Sequence, residues 1–364
     1  MPSVPPRTHL SGDMSLRILH VDSGREWRGG QRQVLLLTRG QRDAGHEPLV
    51  VAASDAPLLH RLRSAGLAAS GVRMRADWDL AAARRLHALI RTWRPDVVHA
   101  HDARAHALAM GALIGKRDIP LVVTRRVAFV PKGRLKYGAR VARFIAISHA
   151  VQDALQLGGV PASRIDVVYS GVPTPHVDLA RDWRAERGWD AETILCGVVG
   201  AMTAEKGVRL LAGIGERLPP ALRQRVRLVL LGGQGTGTEM LGGVEAFRAG
   251  FVDEVHRAMA GLDLLWHPSS AEGLGTAVID AMALGVPPIV FAVGGLPELI
   301  TQDETGLLVP PGDVAAFATA VTRAADDPTL RGAMGRAGPR RAADFSVERM
   351  VDGTEATYRR VLGR

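Results

Sequence analysis

Residues 269–285 read SSAEGLGTAVIDAMALG and form the most specific pattern in the chain. Glu272 is followed by a glycine-rich turn, and a helix is predicted to begin near Thr276. The first backbone N–H groups of such a helix lack partners and lie at the positive end of its dipole, so the turn suits a diphosphate group. Asp280 is predicted to lie about two turns along the helix. Two carboxylates beside an anion site indicate a ligand that also carries hydroxyl groups, such as a ribose or a sugar.

Around this stretch, short apolar runs alternate with helical patterns in two successive series. Strands are predicted at 17–21, 48–53, 96–100, 121–124, 143–147 and 165–169 in the first series, and at 194–199, 227–231, 247–251, 262–267 and 286–291 in the second. Helices are predicted at 31–44, 56–65, 80–93, 103–114 and 347–362. Short buried strands that alternate with helices are typical of parallel, doubly wound α/β sheets. The turn-rich segment Ser170–Pro175 cannot extend a strand, so an interdomain linker is predicted there.

Composition sets the broad class of protein. The 364 residues are 46% hydrophobic, which is enough for two cores and too much for a disordered chain. The single cysteine, Cys196, excludes an internal disulfide framework and is typical of a reducing compartment. No apolar run is long enough for a membrane span, and residues 1–14 read as a disordered tail without the apolar core of a signal peptide. We expect a cytoplasmic protein, with a peripheral position at the inner membrane as an option.

Positive charge is concentrated in the first half of the chain. Residues 1–180 contain 26 Lys and Arg against 14 Asp and Glu, a net charge of +12; the whole chain carries +9, so residues 181–364 carry −3. A general preference for Arg does not account for this difference, because the second half shares the preference and is slightly acidic. The basic half favours an anionic membrane surface or a phosphorylated acceptor. Nucleic acid is not an expected partner, because no recognised reading motif is present.

Six motifs, in order along the chain, resemble those of the retaining GT-B glycosyltransferases of family 4, the group 1 glycosyltransferases. They lie at 27–35, 94–101, 144–148 with 169–173, 269–285, 294–298 and 305–313. The resemblance implies an α/β fold of GT-B type, with two Rossmann-like doubly wound domains that face each other across a cleft. It implies an acceptor-binding domain at 15–172 and a nucleotide-sugar-binding domain at 173–345. Residues 346–364 are expected to form a helix that packs back on the first domain.

The same resemblance implies roles for individual residues. Glu272 is similar to the acid that contacts donor-sugar hydroxyls, and Lys206 to the lysine that neutralises the donor phosphates. Asp280 stands where the family has a Glu that holds the ribose, and it is one methylene shorter. The other donor-binding residues that the resemblance implies are Gly29, Gly30, Gly273, Leu274, Gly275, Thr276 and Glu298. A plain tight turn at Gly29–Gly30 and a helix-start carboxylate at Glu298 are the alternatives.

One cationic position of the family is missing, because residue 201 is Ala where the family usually has Arg. In a metal-free mechanism the leaving diphosphate needs positive charge, and two arginines at the carboxyl end of a strand are candidates to supply it. Arg126 is predicted to be catalytic and Arg125 to bind the acceptor, with a solvated charge pair on a loop as the alternative. His101 and Asp102 end the preceding strand, and we predict a catalytic and an acceptor-binding role for them.

Two patterns suggest metal binding at first sight. His99, His101 and His106 are close in sequence, but the first two have the spacing of any same-face neighbours on a strand, and no fourth ligand has a suitable spacing. The acidic pair Asp77 and Asp79 precedes a predicted helix, and an N-cap at Asp79 explains it better than a metal does. We therefore expect no metal and no cofactor; the nucleotide sugar is a co-substrate.

The predicted activity is transfer of a hexose-type sugar from a nucleotide-diphosphate donor, with retention, to a hydroxyl of a lipid-linked or lipopolysaccharide acceptor in cell-envelope synthesis. A nucleotide-sugar epimerase of GT-B fold and a non-catalytic nucleotide-sugar-binding relative are the alternatives. A dinucleotide oxidoreductase does not fit, because the first glycine-rich turn lacks the G-x-G-x-x-G spacing. The donor sugar, the base, the acceptor, the linkage and the oligomeric state are not readable from the sequence.

Overall fold

The computed structural model describes residues 15–131, 133, 136–175 and 179–363, which form two compact units. Unit 1 combines the residues up to Gly171 with the segment that begins at Val347, and unit 2 spans Val172–Ser346. The boundary between Gly171 and Val172 falls inside the turn-rich segment 170–175. The predicted tail at 1–14 lies outside the described residues.

Unit 1 contains a seven-stranded sheet in which every neighbouring pair is parallel. Its strands are β1 Arg17–Asp22, β2 Glu47–Ala53, β3 Ala69–Val72, β4 Val97–Ala100, β5 Leu121–Arg125, β6 Val141–Ala146 and β7 Ile165–Val167, in the order β3-β2-β1-β4-β5-β6-β7. The strand order reverses between β1 and β4. In sheets of this kind, ligands bind outside the carboxyl ends of the strands at such a reversal.

Helices connect these strands, and their apolar faces form the core of unit 1. They are α1 Gly29–Asp43, α2 Pro57–Ser64, α3 Leu80–Trp93, α4 Ala103–Ala112 and α5 His149–Leu157. The side chain of Asp79 accepts a hydrogen bond from the backbone N–H of Ala82, which confirms the predicted N-cap of α3. The last helix, α13 Val347–Val361, belongs to unit 1 and buries Met350 and Tyr358 against the sheet.

Unit 2 repeats the architecture with a second seven-stranded sheet. Its strands are β8 Ile194–Val199, β9 Val226–Leu231, β10 Gly237–Leu241, β11 Val244–Gly250, β12 Leu264–His267, β13 Pro288–Phe291 and β14 Leu307–Val309, in the order β10-β11-β9-β8-β12-β13-β14. Its helices are α6 Trp183–Arg187, α7 Leu211–Arg217, α8 Pro220–Arg225, α9 Val255–Ala260, α10 Thr276–Ala283, α11 Val314–Asp326 and α12 Pro328–Ala342. The order reverses between β8 and β12. These two sheets confirm the predicted α/β class.

An antiparallel hairpin at the edge of this sheet was not predicted from the sequence. The strands β10 and β11 pair from Leu241 opposite Val244, and the two-residue turn between them is Gly242–Gly243. Both turn glycines have positive φ, 59° and 81°, which is the backbone geometry that favours a tight hairpin.

Candidate active site

In unit 2, the Gly-rich turn leads into α10 as the sequence predicted. The helix begins at Thr276, with Gly275 as its N-cap residue. Asp280 is the fifth residue of α10 and therefore lies about one turn into the helix. The prediction of two turns was wrong, because it measured from Glu272, and residues 272–275 form the turn and not the helix.

Three side chains meet at the carboxyl ends of β8 and β12, and we call them the Lys206 cluster: Lys206, Glu272 and His267. The ammonium group of Lys206 forms an ion pair with Glu272 Oε1, and His267 Nε2 lies 2.7 Å from the same oxygen. Burial opposes ionisation of the carboxyl group, but the hydrogen bond from His267 and the positive charge of Lys206 outweigh it and lower the pKa of Glu272 to about 2. The cluster thus holds a carboxylate and an ammonium group side by side at the sheet reversal.

A close backbone contact brings Lys206 to this position. Gly207 has φ +71°, and a Cβ atom there would overlap the carbonyl oxygen of Pro268. The loop after β8 therefore packs directly on the loop after β12. On the other side, a Cβ at Gly294 would overlap the Glu272 carbonyl oxygen, so the loop that carries Glu298 also contacts this turn. The structure thus places Glu298 on a neighbouring loop of unit 2, in a short 3-10 helix.

Asp280 has a partner that the sequence did not suggest. His256, in α9, places its Nε2 atom 2.9 Å from Asp280 Oδ1, and Asp280 is almost fully buried. A carboxylate in this pair accepts a charge-assisted or neutral hydrogen bond from the ring, depending on the protonation of His256. The shorter acid is therefore held by a side chain from a neighbouring helix.

In unit 1, Arg126 lies beside the glycine pair that begins α1. A Cβ at Gly30 would lie 3.5 Å from the Cδ atom of Arg126, and Arg126 also approaches Ser170 at 3.4 Å and His101 at 3.5 Å. Its Nε atom is buried and has no hydrogen-bond partner among the described residues. Burial lowers the pKa of Arg126 to about 10, against the opposing charges of Asp22 and Asp102, so the group remains charged at neutral pH.

The neighbouring predicted residues have structural partners. Arg125 turns away from Arg126 and donates to the Tyr137 hydroxyl at 2.7 Å and to the Phe129 carbonyl at 2.9 Å. Asp102 is the N-cap of α4; it accepts two backbone N–H groups of that helix and both the N–H and the hydroxyl of Ser23. Four donors occupy its two oxygens. These contacts favour structural roles, and acceptor binding by either residue stays a prediction.

Three buried histidines converge at the reversal of the unit 1 sheet, and we call them the histidine cluster: His20, His99 and His101. Their rings have centroid separations of 4.1–5.5 Å. The ring nitrogens come within 4.8 Å of one another, which is a possible ligand set for a metal. However, each of the six nitrogens has a polar neighbour within 3.5 Å, and one of those neighbours is the cationic Arg126. His106 is not part of the cluster and packs against Tyr137.

Several of these residues were missed by the sequence analysis: His20, Gln41, Asp22, His256, His267 and Tyr358. Three of them carried a usable signal. His20, Asp22 and His267 lie at or next to the carboxyl end of a predicted strand, the edge at which α/β sheets bind ligands. Gln41, His256 and Tyr358 come from helices, and nothing in their spacing indicates which sheet residue they reach.

The fold and these clusters define a class of protein: an α/β chain of two doubly wound units, one of which presents a helix N-terminus, a lysine and a carboxylate at its strand ends. Residues 180–341 match the model of the glycosyl transferases, group 1, and residues 27–175 match that of Glycosyltransferase Family 4. The chain belongs to the group 1 glycosyltransferases.

Individual relatives span nearly the whole chain. The 2-deoxystreptamine N-acetyl-D-glucosaminyltransferase of Streptomyces fradiae is 30% identical over 353 residues, which cover 82% of each protein. The 2-deoxystreptamine glucosyltransferase of Streptomyces kanamyceticus is 30% identical over 96% of this chain and 100% of its own. The solved structure of Anabaena HepE in complex with UDP-glucose has a TM-score of 0.80 at 20% identity and covers 94% of this chain and 99% of its own. The GT-B fold is thereby confirmed.

Within the described residues, no helix combines the length and the apolar character needed to cross a membrane.

Proposed function

We propose that this protein is a metal-independent, retaining glycosyltransferase of family 4 that moves a hexose-type sugar from a nucleoside diphosphate to an acceptor hydroxyl. The observation that carries the proposal is the Lys206 cluster. An ammonium group and an ionised carboxylate stand next to the glycine-rich turn that begins α10. This is the chemistry that a diphosphate with an attached sugar requires: positive charge and free N–H groups for the phosphates, and an acceptor of hydrogen bonds for the sugar hydroxyls.

In this proposal, the residues of the Lys206 cluster and of helix α10 each have a role in holding the donor. Backbone N–H groups at Gly275 and Thr276 bind the diphosphate, and Lys206 balances its charge. Glu272, fixed by His267, accepts hydrogen bonds from sugar hydroxyls, and Asp280 binds the ribose with its side chain positioned by His256. These groups come from the loops after β8 and β12, from the last residue of β12 and from the helices α9 and α10.

The transfer itself breaks the bond between the anomeric carbon and the phosphate oxygen and forms a bond from that carbon to the acceptor oxygen. With retention, the acceptor attacks from the face that the phosphate leaves, and the leaving phosphate oxygen takes the acceptor proton. The developing negative charge on the diphosphate is stabilised by Lys206, and we propose Arg126 as a second cation.

Binding and turnover can be measured with the intact chain. Thermal stabilisation by UDP-, GDP-, ADP- and TDP-sugars, with and without chelator, identifies the donor, and product analysis by NMR gives the anomeric configuration. One donor that stabilises the protein equally with chelator, followed by transfer with retention, supports the proposal. Conversion of the donor without any acceptor indicates an epimerase, and binding without turnover indicates a non-catalytic relative. Stabilisation that disappears with chelator contradicts metal independence.

For the acceptor, we propose a lipid-linked or lipopolysaccharide molecule at an anionic membrane. The segment after β5 supports this, because Phe129 and Val130 are exposed apolar side chains beside the basic positions Lys132 and Arg134. Those two basic residues lie outside the described part of the chain. Changing both to Glu should weaken binding to vesicles of anionic lipid while leaving donor binding unchanged. Unaltered vesicle binding would remove this acceptor class.

A small amino-cyclitol is a second candidate acceptor. The two relatives that align over most of the chain are named for transfer to 2-deoxystreptamine. Transfer to 2-deoxystreptamine in solution, without vesicles, would favour this candidate over a membrane acceptor.

A further inference from the structure

The histidine cluster is part of a continuous line of hydrogen bonds through the interior of unit 1. Arg126 Nη2 lies 3.5 Å from His101 Nδ1, and His101 Nε2 lies 2.9 Å from His20 Nδ1. His20 Nε2 lies 2.7 Å from Gln41 Oε1, and Gln41 Nε2 lies 3.4 Å from the Tyr358 hydroxyl. The line therefore links the strand ends to α1 and to the C-terminal helix α13.

The line continues from Tyr358 to the third histidine. The Tyr358 hydroxyl lies 2.6 Å from His99 Nδ1, and His99 Nε2 lies 2.7 Å from Thr124 Oγ1. The histidines, Gln41 and Tyr358 are at most 2% exposed, so water does not compete for these contacts. The rings of His20 and His101 are inclined by only 27°, which suits an in-plane N–H···N bond.

The direction of every bond follows from Arg126, because a guanidinium group can only donate. His101 Nδ1 must therefore accept, which places the ring proton on Nε2 and makes that atom the donor to His20 Nδ1. His20 then carries its own proton on Nε2 and donates to Gln41 Oε1. The opposite direction would put an N–H of His101 against an N–H of Arg126.

The remaining bonds obey the same direction. With its oxygen facing His20, Gln41 presents its NH2 group to the Tyr358 oxygen, and the Tyr358 proton is donated to His99 Nδ1. His99 then donates from Nε2 to Thr124. One assignment satisfies the whole line, with all three rings neutral and protonated at Nε2.

We propose that Gln41 and His20 are positioning residues that hold His101 in the Nε2-protonated tautomer, so that its bare Nδ1 atom fixes the guanidinium group of Arg126. The proposal rests on the proposed function in one respect: Arg126 is the group that binds the anionic part of the substrate. Its buried Nε atom has no partner among the described residues and is a donor that remains for such a ligand.

Burial keeps the line in its neutral form. It lowers the pKa of His20 to about 4 and holds the pKa values of His99 and His101 well below their usual range, where the charges of neighbouring rings and of Arg126 act in the same direction. A neutral ring has one donor and one acceptor nitrogen, which is what a directed line of bonds requires.

The tautomer of His101 can be measured directly by two-bond 1H–15N correlation NMR on the full chain with labelled histidines, at neutral pH and without any substrate. His101→Gln identifies its signals among the twelve histidines. We expect a protonated Nε2 and a bare Nδ1. A protonated Nδ1, or signals that shift on addition of Zn²⁺ as a bound metal would cause, overturns the proposal.

A matched pair of variants separates positioning from stability. Gln41→Met and Gln33→Met remove equally buried amides from the same helix, but among the described residues the Gln33 amide bonds only to the backbone of Gly171. Gln41→Met should allow His101 to populate both tautomers and lower kcat by about 10- to 100-fold with little change in KM. Gln33→Met should lower Tm and leave the His101 tautomer unchanged.

Tyr358→Phe tests the line beyond Gln41, because it removes the hydroxyl oxygen that accepts from the Gln41 amide. It should give a smaller loss of tautomer order than Gln41→Met. If both variants lower Tm and leave the tautomer of His101 as in the wild type, Gln41 has a purely structural role and the proposal is wrong. Failure of the proposed function would instead appear in the wild type, as no donor binding or no transfer.

Discussion

The two units share a doubly wound architecture but differ in the charge of the groups around their histidines. Both place histidines at the carboxyl ends of strands where the sheet order reverses. In unit 1, His20 and His101 bond to each other, and His99 bonds to Tyr358 and Thr124. The cation Arg126 contacts His101, and burial keeps the three rings uncharged. In unit 2, His267 and His256 each bond to a carboxylate.

The difference shows what each environment can do. A line of neutral rings has no net charge, but it fixes which nitrogen of each ring donates and which accepts. Such a line can therefore orient a neighbouring group such as Arg126. A cluster with an ionised carboxylate and an ammonium group provides charge, which suits the binding of a polar, anionic ligand.

The Lys206 cluster should be the most sensitive to loss of charge. Lys206→Ala removes the cation next to the diphosphate site, and we expect turnover to fall by about 10²- to 10³-fold, the usual cost of removing one preorganised donor to developing charge. Arg209→Ala, an exposed cation three residues later, is the matched control. Steady-state kinetics with the donor found by thermal shift provides the measurement. Equal activity of the two variants would contradict the assigned role of Lys206.

The close contact between Gly207 and the carbonyl oxygen of Pro268 should contribute strongly to the stability of unit 2. Gly207→Ala adds a Cβ that overlaps Pro268 at a positive φ, so we expect a loss of roughly 3 kcal/mol in the free energy of unfolding. Gly159→Ala is the control, because that glycine has φ +88° and open space around it, and it should cost about 1 kcal/mol. Chemical denaturation of both variants measures the difference, and equal losses would show that the Gly207 contact has no special weight.

Acid should destabilise unit 1 before unit 2. The folded-state pKa of His20 is about 4 against 6.5 for the unfolded residue, so its contribution is lost as the pH falls from 6.5 to 4, about 2 kcal/mol by pH 5. His99 and His101 act in the same direction. For Glu272 the folded value is about 2 against 4.5, so the loss falls between pH 4.5 and 2.

One group in unit 1 opposes this trend. Burial and the charge of Asp102 raise the pKa of Asp22 to about 6, so Asp22 adds stability as the pH falls from 6 to 3.8 and offsets part of the histidine effect. Hydrogen exchange of backbone amides in β1 and β8 at pH 7 and 5 measures the two units separately. Greater loss of protection in β8 than in β1 would contradict the predicted order.

The smallest effect is expected at the ribose position. Asp280→Asn removes the carboxylate that His256 holds, and we expect the affinity for the nucleoside diphosphate to fall by about 10-fold, as for the loss of one charge-assisted hydrogen bond. Glu254→Gln changes an exposed acid next to the same helix, α9, and should leave the affinity unchanged. Calorimetric titration compares the two, and an unaltered affinity in Asp280→Asn would show that the shorter acid does not reach the ribose.

Among the described residues, most strands but fewer than half of the α-helices were predicted, and those that were have local evidence. The strand at Ile194–Val199 and the helix at Leu80–Trp93 have an apolar pattern and flanking turns that specify them within a few residues. Three strands were missed: β3 and β14 are short strands at sheet edges, and β10 has little apolar character. The Gly242–Gly243 pair was a hairpin signal for β10, but only between two recognisable strands.

The α/β class, the doubling of the architecture and the position of Glu272 just before the helix that begins at Thr276 could be predicted from the sequence, because strand–turn–helix spacing is a property of a short segment. Lys206 is 66 residues from Glu272 along the chain, and its role was implied by the family resemblance. Which groups meet depends on the tertiary structure. His256 reaches Asp280 from 24 residues away, and Tyr358 reaches His99 from 259 residues away. Such pairs depend on the order of strands in a sheet and on the packing of helices against it. The proton direction in the histidine cluster and the lowered pKa of Glu272 both arise from contacts that this packing makes.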